Sequence, residues 1–421
     1  MLVCEQGLPY REGMNTMLVR MKKMMKLLSR CFALLGVLLV FCAPTAAQHA
    51  GHDAMTQTGH AARPDLGATA AFDARGVLWA AHKDNGHVAV SRSDDAGRTW
   101  SKPVYVNAVA EPTDTGGDAR PKMAIGASGQ LYVTWTRPLA KPYTGEILFS
   151  RSVDEGRSFS PVMTVHADRQ QITHRFDAIT VNKQGQIFVA WIDKRDGIAA
   201  ARLKRGYRGA AVYYAVSDDN GASFRGDYKL AEHSCECCRI ALLAQDDGSV
   251  MALWRHVFAP NIRDHALARL TPDGRAGTLR RATFDDWRVD VCPHHGPSLA
   301  QDAAGRLHAV WFTQAAKNSG VFYGRLREGG VEFQRRVGGQ TAEHADLAVT
   351  GNRVALAWKE FDGERSRLRA MISDDGGEHW REHELAVTAG ASDQPRVLVR
   401  AGAFHVFWNT RREPLLTVPL P

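Results

Sequence analysis

Cysteine is scarce: seven in 421 residues, of which Cys4, Cys31 and Cys42 precede position 48. That density excludes a fold held mainly by disulfides. Long apolar runs are also missing. The longest, Cys31 to Phe41, falls well short of the ~20 residues a membrane-spanning helix needs. Charge of one sign does not dominate, with 53 basic against 45 acidic residues. Residues 1–47 hold six of the basic and two of the acidic ones, leaving 47 against 43, a formal +4. So mild a balance excludes a nucleic-acid binder. Phosphate loop, dinucleotide fingerprint and nucleophile elbow are all absent. Aromatics make up only 8%, so their placement carries information. Six of the ten tryptophans occupy one repeated position.

The first 47 residues read as an export signal. Met17 to Arg30 is basic, Cys31 to Phe41 is apolar, and Ala43-Pro44-Thr45-Ala46-Ala47 supplies small residues. This is the order of a secretory signal peptide, with cleavage expected near Ala46 or Ala47 and Met17 as an alternative start of translation. Phe41 is too bulky before Cys42 for the usual lipoprotein pattern. The mature chain is expected in the periplasm or secreted. Residues 48–62, QHAGHDAMTQTGHAA, lack an apolar period and read as a His-rich flexible tail. Residues 63–421 form the folded unit, expected to be a monomer.

Internal repeats decide its fold. A glycine is followed six residues later by the Trp that ends a short apolar strand at Gly129/Trp135, Gly185/Trp191, Gly248/Trp254, Gly305/Trp311 and Gly402/Trp408. At Gly351/Trp358 the spacing is seven, and in the first repeat His82 stands in the Trp place. Repeats of fifty to sixty residues are the span of one four-stranded propeller blade.

A second pattern, Ser-x-Asp-x-Gly-x-x-aromatic, follows in four repeats. It runs Ser93, Asp95, Gly97, Trp100; Ser152, Asp154, Gly156, Phe159; Ser217, Asp219, Gly221, Phe224; and Ser373, Asp375, Gly377, Trp380. Its chemistry is that of a turn staple, in which side-chain oxygens bond turn amides and Gly takes a conformation other residues resist. The pattern resembles the Asp-box of bacterial sialidases and related propellers. The third and fourth copies are 156 residues apart, leaving room for two blades whose box has decayed. The resemblance implies an all-β, sialidase-like propeller of six blades; the repeat starts count seven. The last, Ser392 to Pro421, is shorter than a blade and is expected either to complete a seventh or to close the ring.

In a propeller the boxes lie on one face, and the links entering each innermost strand lie on the other, around the channel. Those links carry Asp118 and Arg120; His174, Arg175 and Asp177; Cys235, Cys237, Cys238 and Arg239; Cys292, His294 and His295; His344 and Asp346; Asp393 and Arg396. Arg63 holds the same place in the first repeat. Sialidases hold a substrate carboxylate with three arginines and use a Tyr–Glu pair as nucleophile and an Asp as acid/base. The resemblance therefore implies a substrate clamp among Arg120, Arg175, Arg239 and Arg396, and an exo-acting glycoside hydrolase. The family's Phe-Arg-Ile-Pro motif is absent, and Tyr323 lies inside a strand-like run, so no nucleophile carries over. The bland alternative is that these Arg and Asp residues tie blades together.

The sharpest local pattern is Cys235-Glu-Cys237-Cys238 with Cys292-Pro-His294-His295, in consecutive links. Two disulfides stapling the blades are one reading, suited to an oxidising compartment. Another is a metal site, for which thiolate plus imidazole suits copper or zinc, with His174 and His344 as further donors, and a third is a mixed state of one disulfide, two thiols and histidines. The expected ligand at the mouth is thus a metal ion, a small molecule or a glycan, with no cofactor under the disulfide reading. A basic stretch, Asp193 to Ala211, is expected as a loop over the same mouth.

Overall fold

The structure, a computed structural model, describes residues 66–275, 277–291 and 293–421. The expected signal sequence and flexible tail, with Arg63 and Cys292, lie outside the described residues. The described residues form one compact unit.

Seven antiparallel meander sheets form the unit, six of four strands and one of three. Their innermost strands are Thr69–Phe72, Lys122–Ile125, His174–Val181, Ala241–Ala244, Ser298–Gln301, Ala342–Thr350 and Arg396–Arg400. Each touches the next, and the seventh touches the first, so the ring is closed. The fold is a seven-bladed β-propeller. The six blades implied by the resemblance are corrected to seven. The C-terminal piece is a blade in its own right, Arg396–Arg400, Ala403–Trp408 and Leu416–Pro419.

The periodic tryptophans make the contacts between sheets. Trp135, Trp191, Trp254, Trp311, Trp358 and Trp408 are all buried to 2% exposure or less. In the first blade His82 takes the place by hydrogen bonding Ser91 Oγ at 3.0 Å.

The four Asp-boxes are the staples their composition predicts. In each, Ser Oγ donates to Asp Oδ1 at 2.7 Å and accepts the Gly N–H at 2.7–2.8 Å. The glycines also press on the preceding blade. A Cβ on Gly221, at φ +81°, would stand 2.6 Å from the Phe149 ring, and one on Gly156 2.7 Å from the Trp79 ring. These boxes join third strands to fourth strands, so they lie opposite the links named above. Tyr323 belongs to that same side. Its hydroxyl meets His308 Nδ1 at 2.7 Å and the Gly376 carbonyl at 3.5 Å.

One expectation about the channel face is corrected. The stretch after Asp193 is not all loop, because Arg195–Arg202 forms a helix, α1. Ile198 and the three alanines 199–201 supply the propensity. Arg195 anchors its start through Asp193, Asp227 and the face of Tyr213.

Candidate functional site at the channel mouth

The links into the innermost strands leave backbone carbonyls without strand partners, and buried carbonyls must be satisfied. The arginines of the mouth do this work. Arg120, 2% exposed, donates to the carbonyls of Gln394 at 2.7 Å and Ala68 at 3.3 Å. Arg239, 6% exposed, donates to Pro297, Gly296 and Ala345 carbonyls at 2.9–3.1 Å. Its Nη1 also stands 3.6 Å from Asp118 Oδ1. These two side chains lace links of the first, second, fourth, fifth, sixth and seventh blades across the mouth.

The expected four-arginine clamp is therefore corrected. Arg175 pairs with Asp114 and lies over the Phe176 ring, away from the channel lining. Arg120, Arg239 and Arg396 do line a channel cavity of about 160 Å³, together with Asp118, Lys122 and Ser298. Of these arginines only Arg396 keeps a substantially exposed side chain, and it bonds Asp346 at 3.2 Å. Burial lowers Arg120 to about 10, with Arg396 and Arg239 adding repulsion against the pull of Asp393 and Asp118. The same desolvation lowers Lys122 to about 8.

The acidic residues of the links are the inter-blade ties. Asp177 accepts from Thr134 and Thr136 of the preceding blade. Asp346 accepts from Ser298 Oγ, Arg396 and the Val397 N–H. Asp393 accepts the N–H groups of Gly67 and Ala68, which joins the last blade to the first. Asp118 reaches furthest. One of its oxygens accepts the N–H of both Arg239 and Gly296, each at 3.1 Å. It thereby pins the residue after Cys238 and the residue after His295. Burial opposes the charge on Asp118, but Arg239, His344 and Arg120 outweigh it and hold its carboxyl at about 2. Gly296 lets the two links meet, since a Cβ there would stand 2.3 Å from Arg239 Cβ.

The three described cysteines converge. Cys235 and Cys238 Sγ are 3.6 Å apart, Cys235 and Cys237 3.9 Å, Cys237 and Cys238 4.0 Å. A disulfide requires about 2.05 Å, so no bond joins any two of them. Every complete pairing of the four mature cysteines needs a bond within this trio. All three are at least 96% buried. The Cys235 N–H is held by the Arg255 carbonyl at 2.9 Å, and Arg263 Nη1 donates to Cys235 Sγ at 3.5 Å. Burial pushes the Cys238 thiol well up, helped by Cys235, against smaller pulls from the Cys237 hydrogen bond and the Arg255 charge.

Among the described residues, the thiols and the histidines fall into separate donor clusters. His174 turns to Asp193 at 2.9 Å and stacks on His166 at 3.9 Å. His294 lies 6.4 Å from the Phe176 ring. His295 and His344 meet each other, with ring centroids 4.3 Å apart, and Glu343 completes a separate group whose donor atoms lie within 4.8 Å of one another. Sequence reasoning missed Glu343, Arg255 and Arg263. Glu343 directly precedes His344, which is the one signal that could have found it. Arg255 and Arg263 sit outside the links, and nothing in the sequence marks them.

No family model matches the chain, and no curated protein does. Similar solved structures are found. One is an ulvan lyase described as a new family of polysaccharide lyase, with TM-score 0.51 and 12% identity over 85% of this chain and 92% of that one. An α-L-arabinofuranosidase of Fusarium graminearum gives TM-score 0.49 and 12% identity over 74% and 93%. A sialidase of Trypanosoma rangeli gives 0.45 and 12% over 84% and 54%. At such identities the likeness is one of fold: the chain shares the propeller architecture of the lyase.

Proposed function

We propose that this protein binds a soft metal ion, Cu(I) before Zn(II), through Cys235, Cys237 and Cys238 at the channel face of an exported propeller. The carrying observation is the set of three Sγ separations, 3.6, 3.9 and 4.0 Å. Three thiolates around one ion with metal–sulfur bonds of about 2.3 Å stand about 3.8 Å apart at tetrahedral angles and about 4.0 Å apart at trigonal ones. Thiolate is the donor that selects Cu(I). The buried shell excludes water, and the guanidinium of Arg263 offsets part of the negative charge that three thiolates bring. Burial holds the Cys238 thiol well above its ordinary value, so metal binding there releases its proton. The test is metal analysis of the protein prepared from the periplasm, with titration of the apoprotein by Cu(I) under a competing chelator. One Cu(I) per chain, lost in Cys235→Ser and Cys238→Ser, is expected. Full-strength Cu(I) binding by these variants contradicts the proposal.

A second reading, a glycan-acting propeller enzyme, is favoured by the fold shared with the lyase and by the polar cavity beside Arg396. The buried work of Arg120 and Arg239 and the position of Tyr323 on the opposite face weigh against a sialidase. Turnover of a fluorogenic sialoside, or release of unsaturated sugars from an anionic polysaccharide, would establish it. Absence of both at stoichiometric protein removes it.

A further inference from the structure

The His295, Glu343 and His344 group is set apart from the thiols and has a different donor chemistry. His344 enters the mouth at an irregularity in strand pairing between Glu343 and Asp346, where its own φ is +53°. Bulges of this kind re-aim side chains next to functional sites. The amide of Gln394 holds His344 Nδ1 at 2.9 Å, while His344 Nε2 stands 3.7 Å from Glu343 Oε2. His295 is fixed between two rings. It stacks on Phe312 at 4.0 Å and 20°, and on His344 at 4.3 Å and 21°. Its Nδ1 is buried and has no hydrogen-bond partner. A buried ring nitrogen without a partner is unfavourable in either tautomer, and a bound metal ion is one group that would satisfy it. The Lys359 ammonium lies 3.3 Å from Glu343 Oε1 and now supplies the cation.

We infer that His295, Glu343 and His344 form a second metal site, separate from the cysteine trio, for a borderline divalent ion, Zn(II) or Cu(II). Two imidazoles and a carboxylate suit such ions and do not suit Cu(I) as three thiolates do. Stacking on each other and on Phe312 holds the two rings nearly parallel, so one ring turns out of the stack for both to reach one ion, and the Gln394 amide, which donates to His344 Nδ1, turns to present its oxygen to Nδ1–H once Nε2 is bound. Lys359 competes with the incoming ion for Glu343 and has to leave its oxygen. The inference adds a site to the soft-metal reading but does not depend on it. Asp118 links the two, because its single carboxylate oxygen holds the residue after each cluster.

The probes are Zn(II), counted per chain by native mass spectrometry, and Co(II), read by absorption. Thiolate-bound Co(II) gives an intense near-ultraviolet charge-transfer band, and a His–carboxylate site does not. Glu343→Gln and His295→Asn are compared with the parent, and Lys359→Met is added. Expected are one Zn(II) fewer in both ligand variants, an unchanged thiolate band, and about tenfold tighter Zn(II) at the second site in Lys359→Met. Glu343 is partly exposed and Gln keeps its shape, so an unchanged melting temperature of Glu343→Gln in chelator confirms an intact fold. Equal Zn(II) counts in parent and Glu343→Gln overturn the inference. So does loss of the thiolate band along with the second ion, which would mean one shared site. A parent without any thiolate band defeats the trio reading alone, while the drop of one Zn(II) in the variants still upholds the second site.

Discussion

At the level of single residues, the mouth depends on groups that face inward. Gly296 is where the two links that carry the proposed metal ligands cross, and a Cβ there meets Arg239 at 2.3 Å. Gly296→Ala is expected to cost about 1–3 kcal/mol by overpacking, read from urea unfolding, and to weaken metal binding at both clusters. An unchanged unfolding midpoint would show that the links can part freely. Asp118 gives a pH signature. Its folded-state pKa lies below its ordinary value, so its contribution is complete above about pH 4 and is lost as pH falls toward about 2. Asp118→Asn is expected to lower stability at pH 7 by about 3 kcal/mol, because Arg239 is left as a buried unpaired charge. Its stability should also fall less steeply than the parent's between pH 4 and 2. Equal acid slopes in the two proteins would contradict this role. The sequence placed these residues on the right face but not in their partnerships. An arginine in a link reads alike whether it points at solvent or turns back to a carbonyl. Which it does depends on the carbonyls that the blade packing orphans, and those come from distant links such as Gln394 and Ala345.

At the level of elements, the blade hairpins were the most legible part of the chain. A Gly before each second strand and a Trp at its end are local requirements, of turn geometry and of sheet packing, so they recur at fixed offsets. The Asp-box is equally local, with all its bonds made within seven residues. Ser217→Ala removes two of these bonds and is expected to cost about 1–2 kcal/mol. Gly221→Ala adds a strained φ to a clash with Phe149 and is expected to cost about 2–4 kcal/mol. Metal content under native conditions should be unchanged in both, since the boxes lie on the opposite face. Loss of metal in Ser217→Ala would couple the two faces and count against that separation. Helix α1 was not legible as a helix because its basic residues masked the short Ile198–Ala201 core of propensity. Its place is set by tertiary partners, Asp227 to Arg195 and Lys229 to Asp196.

At the level of the whole molecule, closure of the ring sets stability, since an open propeller leaves sheet edges unpaired. Among the described residues the seventh blade has three strands, so its tie to the first blade carries more weight. Asp393 supplies that tie through Gly67 and Ala68, and is itself held by Asn409 Nδ2 at 2.9 Å. Asp393→Ala is expected to lower the melting temperature by about 5 °C in a scanning calorimeter. A change within error would mean that strand pairing alone closes the ring. The repeat count led to seven blades where the family resemblance led to six. The count rests on residues of this chain that each blade needs, which is why it was the better guide. Across the ring, the residues proposed for function lie on the face opposite the Asp-boxes, where the links differ far more from blade to blade than the hairpins do.

The claim on which the account turns is that Cys235, Cys237 and Cys238 act together as one ligand set. X-ray absorption at the copper edge, on protein loaded with one Cu(I) per chain, tests it most directly. The predicted first shell is three sulfurs at about 2.3 Å. A shell of nitrogen and oxygen alone, or a protein that takes up no Cu(I) while its three thiols remain titratable, would contradict it.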